Sequence, residues 1–457
     1  MSSSATFERR VVASLASLYA FRMMGLFMVL PVLSLYGDQY AGSTPLLLGV
    51  ALGAYGFTQA VLQIPFGMLS DRWGRKPIIA AGLLLFVLGS VVAAQADTVY
   101  ELIFGRCLQG GGAIAGAIMA LVADLTSDEG RTKAMAFIGA SIGLSFSVAL
   151  VLGPVISSGY GMSGIFWVTA AMAVIGLLVL AKWVPTPAAS SLRTHRDAGA
   201  VPELLGSTLR NRELIRLNVG VAILHCILVF TFVAMPLILE QKLGIDRSQH
   251  WQVYLSVLLL AFVVMVPFVI VAEKRRKIKP VFLGAIALLG VMELLMVFSQ
   301  QSHWLFLGSL FLFFVAFNLL EATLPSLMSK AAPAGSRGTA SGIYSTSQFF
   351  GAFVGGVGGG WLLQYHGVMA VFAAAAILIA VWFAVAFGMR SPRFLASVQV
   401  SLLGADMNAA EAQLAALPGV VELVIITDEQ SAYLKVDNAL FDRELVASAL
   451  FPAGGKG

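Results

Sequence analysis

The chain has 457 residues, of which 58% are hydrophobic and only 12% charged, with a formal net charge of +5. Soluble domains carry about 25% charged residues, so a water-soluble body is excluded and a polytopic membrane protein is expected. The two cysteines, Cys107 and Cys226, fall inside apolar runs. They exclude a disulfide framework and a CxxC metal site, and read as small apolar packers.

A helix crosses a bilayer with about 20 residues. Runs of that kind lie near 11–36, 46–69, 77–94, 99–124, 132–157, 162–183, 214–240, 249–272, 280–298, 303–329, 337–362 and 368–388. The first follows Arg9-Arg10, is too long for a signal-peptide core and contains Arg22, so it reads as an uncleaved span. Arg22 and Arg106 lie within spans, and Lys242 and Arg247 follow the seventh. The remaining Lys and Arg fall on one side once the spans alternate, most clearly at 72–76 and 274–277. The positive-inside rule then puts both termini in the cytoplasm. The basic balance is a topology and anionic-lipid signal, with no nucleic-acid patch.

Residues 1–183 read as a six-helix bundle, 184–213 as a Pro/Ser-rich cytoplasmic linker and 214–390 as a second six-helix bundle. The halves echo each other at separations of about 200 residues: Pro31 with Pro236, Pro65 and Asp71 with Pro267 and Glu273, Arg131–Ala134 with Arg337–Ala340. Such repeats mark a 6+6 transporter with its site between the halves near midplane.

The turn Gly67-Met68-Leu69-Ser70-Asp71-Arg72-Trp73-Gly74-Arg75-Lys76 packs one carboxylate and three cations between two apolar runs. Its pattern G-x-L-x-D-R-x-G-R-K resembles the loop between the second and third helices of the major facilitator superfamily, and the whole layout with its tail is similar to the family's drug:proton antiporter-like members. Arg106-Cys107-Leu108-Gln109-Gly110-Gly111-Gly112-Ala113 resembles the family's R-x-x-Q-G-x-G-A segment of span four. Gly153-Pro154 matches only the centre of its antiporter motif, with Ser157 and Ser158 where a glycine pair is expected, which leaves transport direction open.

The resemblance covers residues 10–390 and implies two bundles around a central cavity lined by spans one, four, seven and ten. It places Asp71 near the start of span eleven, at Arg337–Ala340, and Arg75 beside Asp124. With Gly67, Arg72, Gly74 and Lys76 these form a latch closing the cytoplasmic side; a topology anchor without switching is the plainer alternative. It associates Arg106 with proton coupling, although an arginine near a span end can also snorkel outward. Gly112/Gly116 on span four and Gly351/Gly355/Gly359 with Gly356/Gly360 on span eleven have GxxxG spacing for close helix packing.

His225 and Glu321 are the candidate coupling pair. They lie about 11 and eight residues from the cytoplasmic face, which at about 1.5 Å per residue leaves roughly 5 Å between their depths. Neutral His and protonated Glu suit a dry site and the charged pair a wet one, so alternating hydration can drive proton uptake and release. A buried pair that merely hydrogen-bonds is the alternative. Arg22 is expected at a similar depth and Asn318 one turn from Glu321. Tyr55, Gln59 and Gln63 recur as a polar stripe facing either a cavity or a neighbouring helix. Glu293, near the outer end of span nine, reads as interfacial.

Residues 394–457 alternate in a β-α-β-β-α order that fits a ferredoxin-like domain. Pro418-Gly419-Val420 and Tyr433–Asp437 resemble heavy-metal-associated domains, but Gly404–Asn408 stands where their metal-binding CxxC belongs. The fold is expected and metal binding is not, leaving a ligand or partner of the tail unnamed.

No nucleophile–base set marks an enzyme and no phosphate loop marks ATP use, so no cofactor is expected. The expectation is an inner-membrane-type, proton-coupled transporter exporting small amphipathic molecules by alternating access. Proton symport into the cell and a ligand-sensing transceptor are the alternatives.

Overall fold

The computed structural model describes residues 3–126, 128–186, 201–391, 394–427, 429–437 and 439–450. The N-terminal bundle holds α1 (Ser3–Phe27), the short α2 (Leu33–Tyr36), α3 (Pro45–Trp73), α4 (Arg75–Ala94), α5 (Val99–Gly111), α6 (Ala115–Leu125) and α7 (Asp128–Lys182). After α8 (Pro202–Arg210), the C-terminal bundle holds α9 (Arg212–Gln241), α10 (His250–Lys274), α11 (Ile278–Phe298), α12 (His303–Ala331), α13 (Arg337–His366) and α14 (Val368–Phe387). Helices are the expected solution in lipid, where every backbone polar group must be satisfied within its own segment.

Twelve expected spans meet ten described helices that are long and apolar enough to cross a bilayer. Two local facts explain the difference. Spans five and six run together in α7, which turns at Gly161 (φ 62, ψ −165), a conformation open to glycine. Span eleven is α13, whose glycines and polar residues dilute its hydropathy. Two further expectations are corrected. Span one ends as a helix at Phe27, before a turn around Pro31 and then α2. Span four is broken between α5 and α6 at Gly112, within the Gly110–Ala113 run. The linker, expected as plain connector, contains α8.

Helix starts are set locally. Thr44 accepts a hydrogen bond from Leu47 N with Pro45 in the first turn, Thr98 and Glu101 form a capping box on α5, and Asn211 caps α9. Each satisfies amides that a helix start leaves unpaired.

Span eleven carries two glycine faces. Gly351 and Gly355 abut the backbone of α9 at Ala222 and Cys226, whereas Gly356 and Gly360 abut α3 at Gly49 and Pro45. One face therefore packs within its bundle and the other across to the opposite bundle.

The tail adds β1 (Ala396–Ser401), α15 (Met407–Ala415), β2 (Val420–Ile426), β3 (Ser431–Val436) and α16 (Glu444–Leu450), the expected order. The sheet is antiparallel with order β1-β3-β2. Successive strand side chains face opposite sides. Ala432, Leu434 and Val436 join the tail core with Leu402, Ala410 and Leu414. Tyr433 and Lys435, on the other side, face the membrane body: Lys435 Nζ donates to Ser329 O at 3.0 Å, and Tyr433 packs on Gly335.

Candidate transport pathway and gates

In the C-terminal bundle, α9 presents His225 toward α12 and α13. His225 Nδ1 lies 3.1 Å from the Val221 carbonyl, to which it can only donate. That fixes Nε2 of a neutral ring as an acceptor, and Gln348 Nε2 donates to it at 2.7 Å. Glu321 Oε1 stands 3.7 Å from the same Nε2. The imidazole is 8% exposed and the carboxylate 38% exposed, so one partner is dry and the other wetted. Protonating His225 turns Nε2 into a donor aimed at Glu321, with the Gln348 amide reversed to accept. Phe317 covers the ring at 6.3 Å. Asn318, one turn from Glu321, makes no hydrogen bond to it among the described residues; its Nδ2 has no partner there. Gln348 escaped the sequence reading, because one glutamine in a Ser/Thr-rich stretch of α13 carries no spacing signal.

The N-terminal bundle holds a separate polar cluster. Arg22 donates to Gln59, whose Nε2 donates to Gln63 at 2.6 Å. Arg106 Nη1 donates to Gln109 Oε1 at 2.8 Å and its Nε to the Ala51 carbonyl at 3.3 Å. Gln109 continues to Ser90 at 2.8 Å. Tyr55 lies between the two guanidinium groups, 5.6 Å from Arg22 and 5.1 Å from Arg106. Arg22 and Arg106 are 2% and 1% exposed, so Arg106 does not snorkel to the surface. Among the described residues no carboxylate pairs with either. Arg22, expected at the depth of His225, bonds within its own half, to Gln59. Gln109 and Ser90 were missed as partners, although Gln109 belongs to the quoted motif.

At one end of the bundle, Gly74 (φ +93) makes the tight turn from α3 to α4 that only glycine takes without strain. Buried Arg75 donates through Nε to Asp124 Oδ2 at 3.0 Å and through Nη1 to Ser70 at 2.9 Å, and also pairs with Asp71. Lys76 donates to the Val184 carbonyl at 2.7 Å. Arg72 is exposed, and nothing lies within 4 Å of the position a Cβ on Gly67 would take. The cluster thus ties α3, α4 and α6 of one bundle. Among the described residues Asp71 forms no hydrogen bond or ion pair with the start of α13. That segment instead meets the linker, through Val201 N to Thr339 Oγ1 at 2.9 Å. The adjoining loop meets the tail, through Ala334 N to Glu422 Oε2 at 3.3 Å.

The bundles join at the end opposite the α3–α4 turn. Besides the α3–α13 glycine seam, Leu46 N donates to Gln364 Oε1 at 3.1 Å, and Arg247 Nη1 donates to the Leu35 carbonyl at 3.1 Å while its Nε pairs with Glu240 at 2.7 Å. Glu293, expected at the interface, is fully buried and faces Thr231 on α9. Its helix is packed between neighbours at this level, which position along the chain alone does not reveal.

Two pseudo-symmetric helical bundles, each with charged and polar side chains buried in its interior, define a secondary transporter fold. The chain belongs to the major facilitator superfamily, whose family profile matches residues 15–356 and 279–401; residues 404–450 match the YajR YAM domain. It is 45% identical over 445 residues to the inner membrane transport protein YajR of Escherichia coli, covering 97% of each chain. It is 25% identical over 350 residues to the multidrug resistance protein MdtH of Proteus mirabilis, covering 74% of this chain and 84% of the relative. The crystal structure of the nucleoside transporter NupG superposes with TM-score 0.66 at 15% identity, over 83% of this chain and 99% of that one, a likeness of fold.

Proposed function

We propose that this chain is a proton-coupled exporter of small amphipathic molecules, working by alternating access in the bacterial inner membrane with both termini cytoplasmic. The carrying observation is the His225–Glu321 pair, one member dry and the other wetted, 3.7 Å apart on facing helices. A proton moving between these groups changes the charge of the wall that cargo passes. The relation to YajR and MdtH supports an inner-membrane location and export.

Arg22 and Arg106 add fixed positive charge in the opposite bundle with no carboxylate partner among the described residues. Such a wall repels permanent cations, so neutral or anionic amphiphiles are the favoured cargo. The contacts between bundles cluster at the outer side, and among the described residues Asp71 forms no hydrogen bond or ion pair with α13, which supports an inward-facing state for this structure. In the opposite state the Asp71–Arg75–Asp124 cluster would meet the positive end of α13, an interaction of about 0.3–1 kcal/mol.

The test is transport by the chain reconstituted in liposomes under an imposed pH gradient, using cationic, neutral and anionic compounds. Gradient-driven movement of neutral or anionic compounds is expected; transport indifferent to pH would overturn proton coupling. Uptake coupled to inward proton flow would favour symport. A sensing role has one observation behind it, the tail's grip on Ser329 and Ala334 beside span eleven, and substrate binding without flux would select it.

A further inference from the structure

We infer that Glu293 is a second proton-binding site, separate from His225 and Glu321, and that it holds a resident proton as a neutral carboxylic acid pinning α11 to α9. Its Oε1 lies 2.7 Å from Thr231 Oγ1, and the same Oγ1 lies 2.8 Å from the Ile227 carbonyl oxygen one turn earlier. A threonine hydroxyl has one proton to give. An ionised Glu293 can only accept, so Thr231 would face two acceptors with one proton and one short oxygen–oxygen approach would be unbridged. A proton on Oε1 satisfies both approaches: Glu293 donates to Thr231, and Thr231 donates to Ile227.

The surroundings agree. Glu293 is fully buried, and its Oε2 has no hydrogen-bond partner among the described residues. As half of a carboxylate that atom would carry uncompensated charge inside a membrane span, which is costly. As the carbonyl of an acid it is only an unmet neutral acceptor, a smaller penalty. No nearby group supplies a counter-charge. Helix α14 carries no titratable side chain. In the outer half of α12, His303 is engaged with the Leu243 carbonyl. On α10, His250 is engaged with the Ile245 carbonyl and Tyr254 is a neutral phenol. On α9, Glu240 is paired with Arg247.

The proton therefore acts as a structural ligand. It holds the back of α9 against α11 while the other side of α9, six residues earlier, presents His225 to the pathway. This assignment does not depend on the direction of transport or on the cargo.

Infrared spectroscopy of the full-length chain in lipid tests it. The wild type is expected to show a protonated-carboxyl carbonyl band that Glu293→Gln removes. The band should persist across the pH range in which gradient-driven transport operates, and should also persist in Glu321→Gln. Thr231→Val should keep the band but move it toward the free-acid position, because the acid loses its acceptor. This second variant reads the site even where Glu293→Gln fails to insert. Glu293→Gln should retain gradient-driven transport, since the amide can donate to Thr231 as the acid does. Identical spectra for wild type and Glu293→Gln would mean an ionised group and overturn the assignment. So would titration of the band within the working range. Loss of coupling in an inserted Glu293→Gln protein would place this proton on the driving path and overturn its resident character.

Discussion

The Gly356 carbonyl occupies the place a Cβ on Gly49 would take, and the Gly49 carbonyl does the same for Gly356. The two bundles thus touch backbone to backbone at this point. Gly356→Ala should wedge the seam apart at a cost of about 1–3 kcal/mol, shifting the balance toward outward-open by about five- to 150-fold. Distances between spectroscopic labels on outer loops measure this. Gly358→Ala is the control, because its Cβ would meet only the Phe230 side chain at 3.3 Å. Equal label distances in both variants would remove the seam from the gating account.

Arg247, at the end opposite the α3–α4 turn, sits 5.0 Å from the Tyr36 ring centroid as well as on the Leu35 carbonyl. An exposed cation–π contact is worth about 0.5–1 kcal/mol. Arg247→Ala should therefore raise the outward-open population a few-fold without unfolding the protein. Unchanged outer-loop distances would show that the seam seals the face alone.

Arg75 and Asp71 should separate in a stability assay. Arg75→Ala takes from the buried Asp124 carboxylate the guanidinium that pairs with it, and breaking a buried pair from one side costs about 3–5 kcal/mol, so the thermal midpoint should fall clearly. Asp71→Asn touches a side chain that is 30% exposed and should leave that midpoint near wild type, while further favouring inward-open by label distance. A large loss of stability from Asp71→Asn would make the cluster an anchor and not a switch.

Glu321→Gln should abolish accumulation driven by a pH gradient while substrate binding remains measurable, because the amide keeps shape and hydrogen bonding but cannot titrate. His225 substitutions, and Gln348→Ala beside them, should shift the pH dependence. Wild-type accumulation by Glu321→Gln would move coupling elsewhere, with Asp71 and Asp124 the next carboxylates to measure.

Deleting residues 394–457 should leave an inserted body that still transports, since the tail has its own core. Lys435→Ala should loosen the tail, read as faster proteolysis after residue 390, because the bond to Ser329 is lost. Complete loss of flux in an inserted truncation would make the tail part of the transport machinery.

The bundles were legible because hydropathy runs and motif spacing are one-dimensional, as at 67–76 and Arg106–Ala113. Tail strands were legible from period-two alternation. Pairings across elements were not. Nothing in the chain says that Gln348 meets His225 across a separation of 123 positions, or that Arg22 turns to Gln59. Glu293 shows the same limit: its depth was readable, but its burial depends on which neighbours close around α11. Span eleven was harder still, because the glycines that let it touch two partners also erase its hydropathy signal.

Arg22 and Arg106 carry a consequence beyond their neighbours. Both are fixed to the N-terminal bundle, buried, and unmatched by a carboxylate among the described residues, so any rigid-body motion of that bundle carries them with it. An elementary charge crossing the whole membrane field is worth about 2.3 kcal/mol per 100 mV. A rocking motion that carries each guanidinium through a tenth of the field therefore gains or loses about 0.2 kcal/mol per charge. The conformational balance of this chain should then respond to voltage even when its cargo is neutral and the pH is equal on both sides.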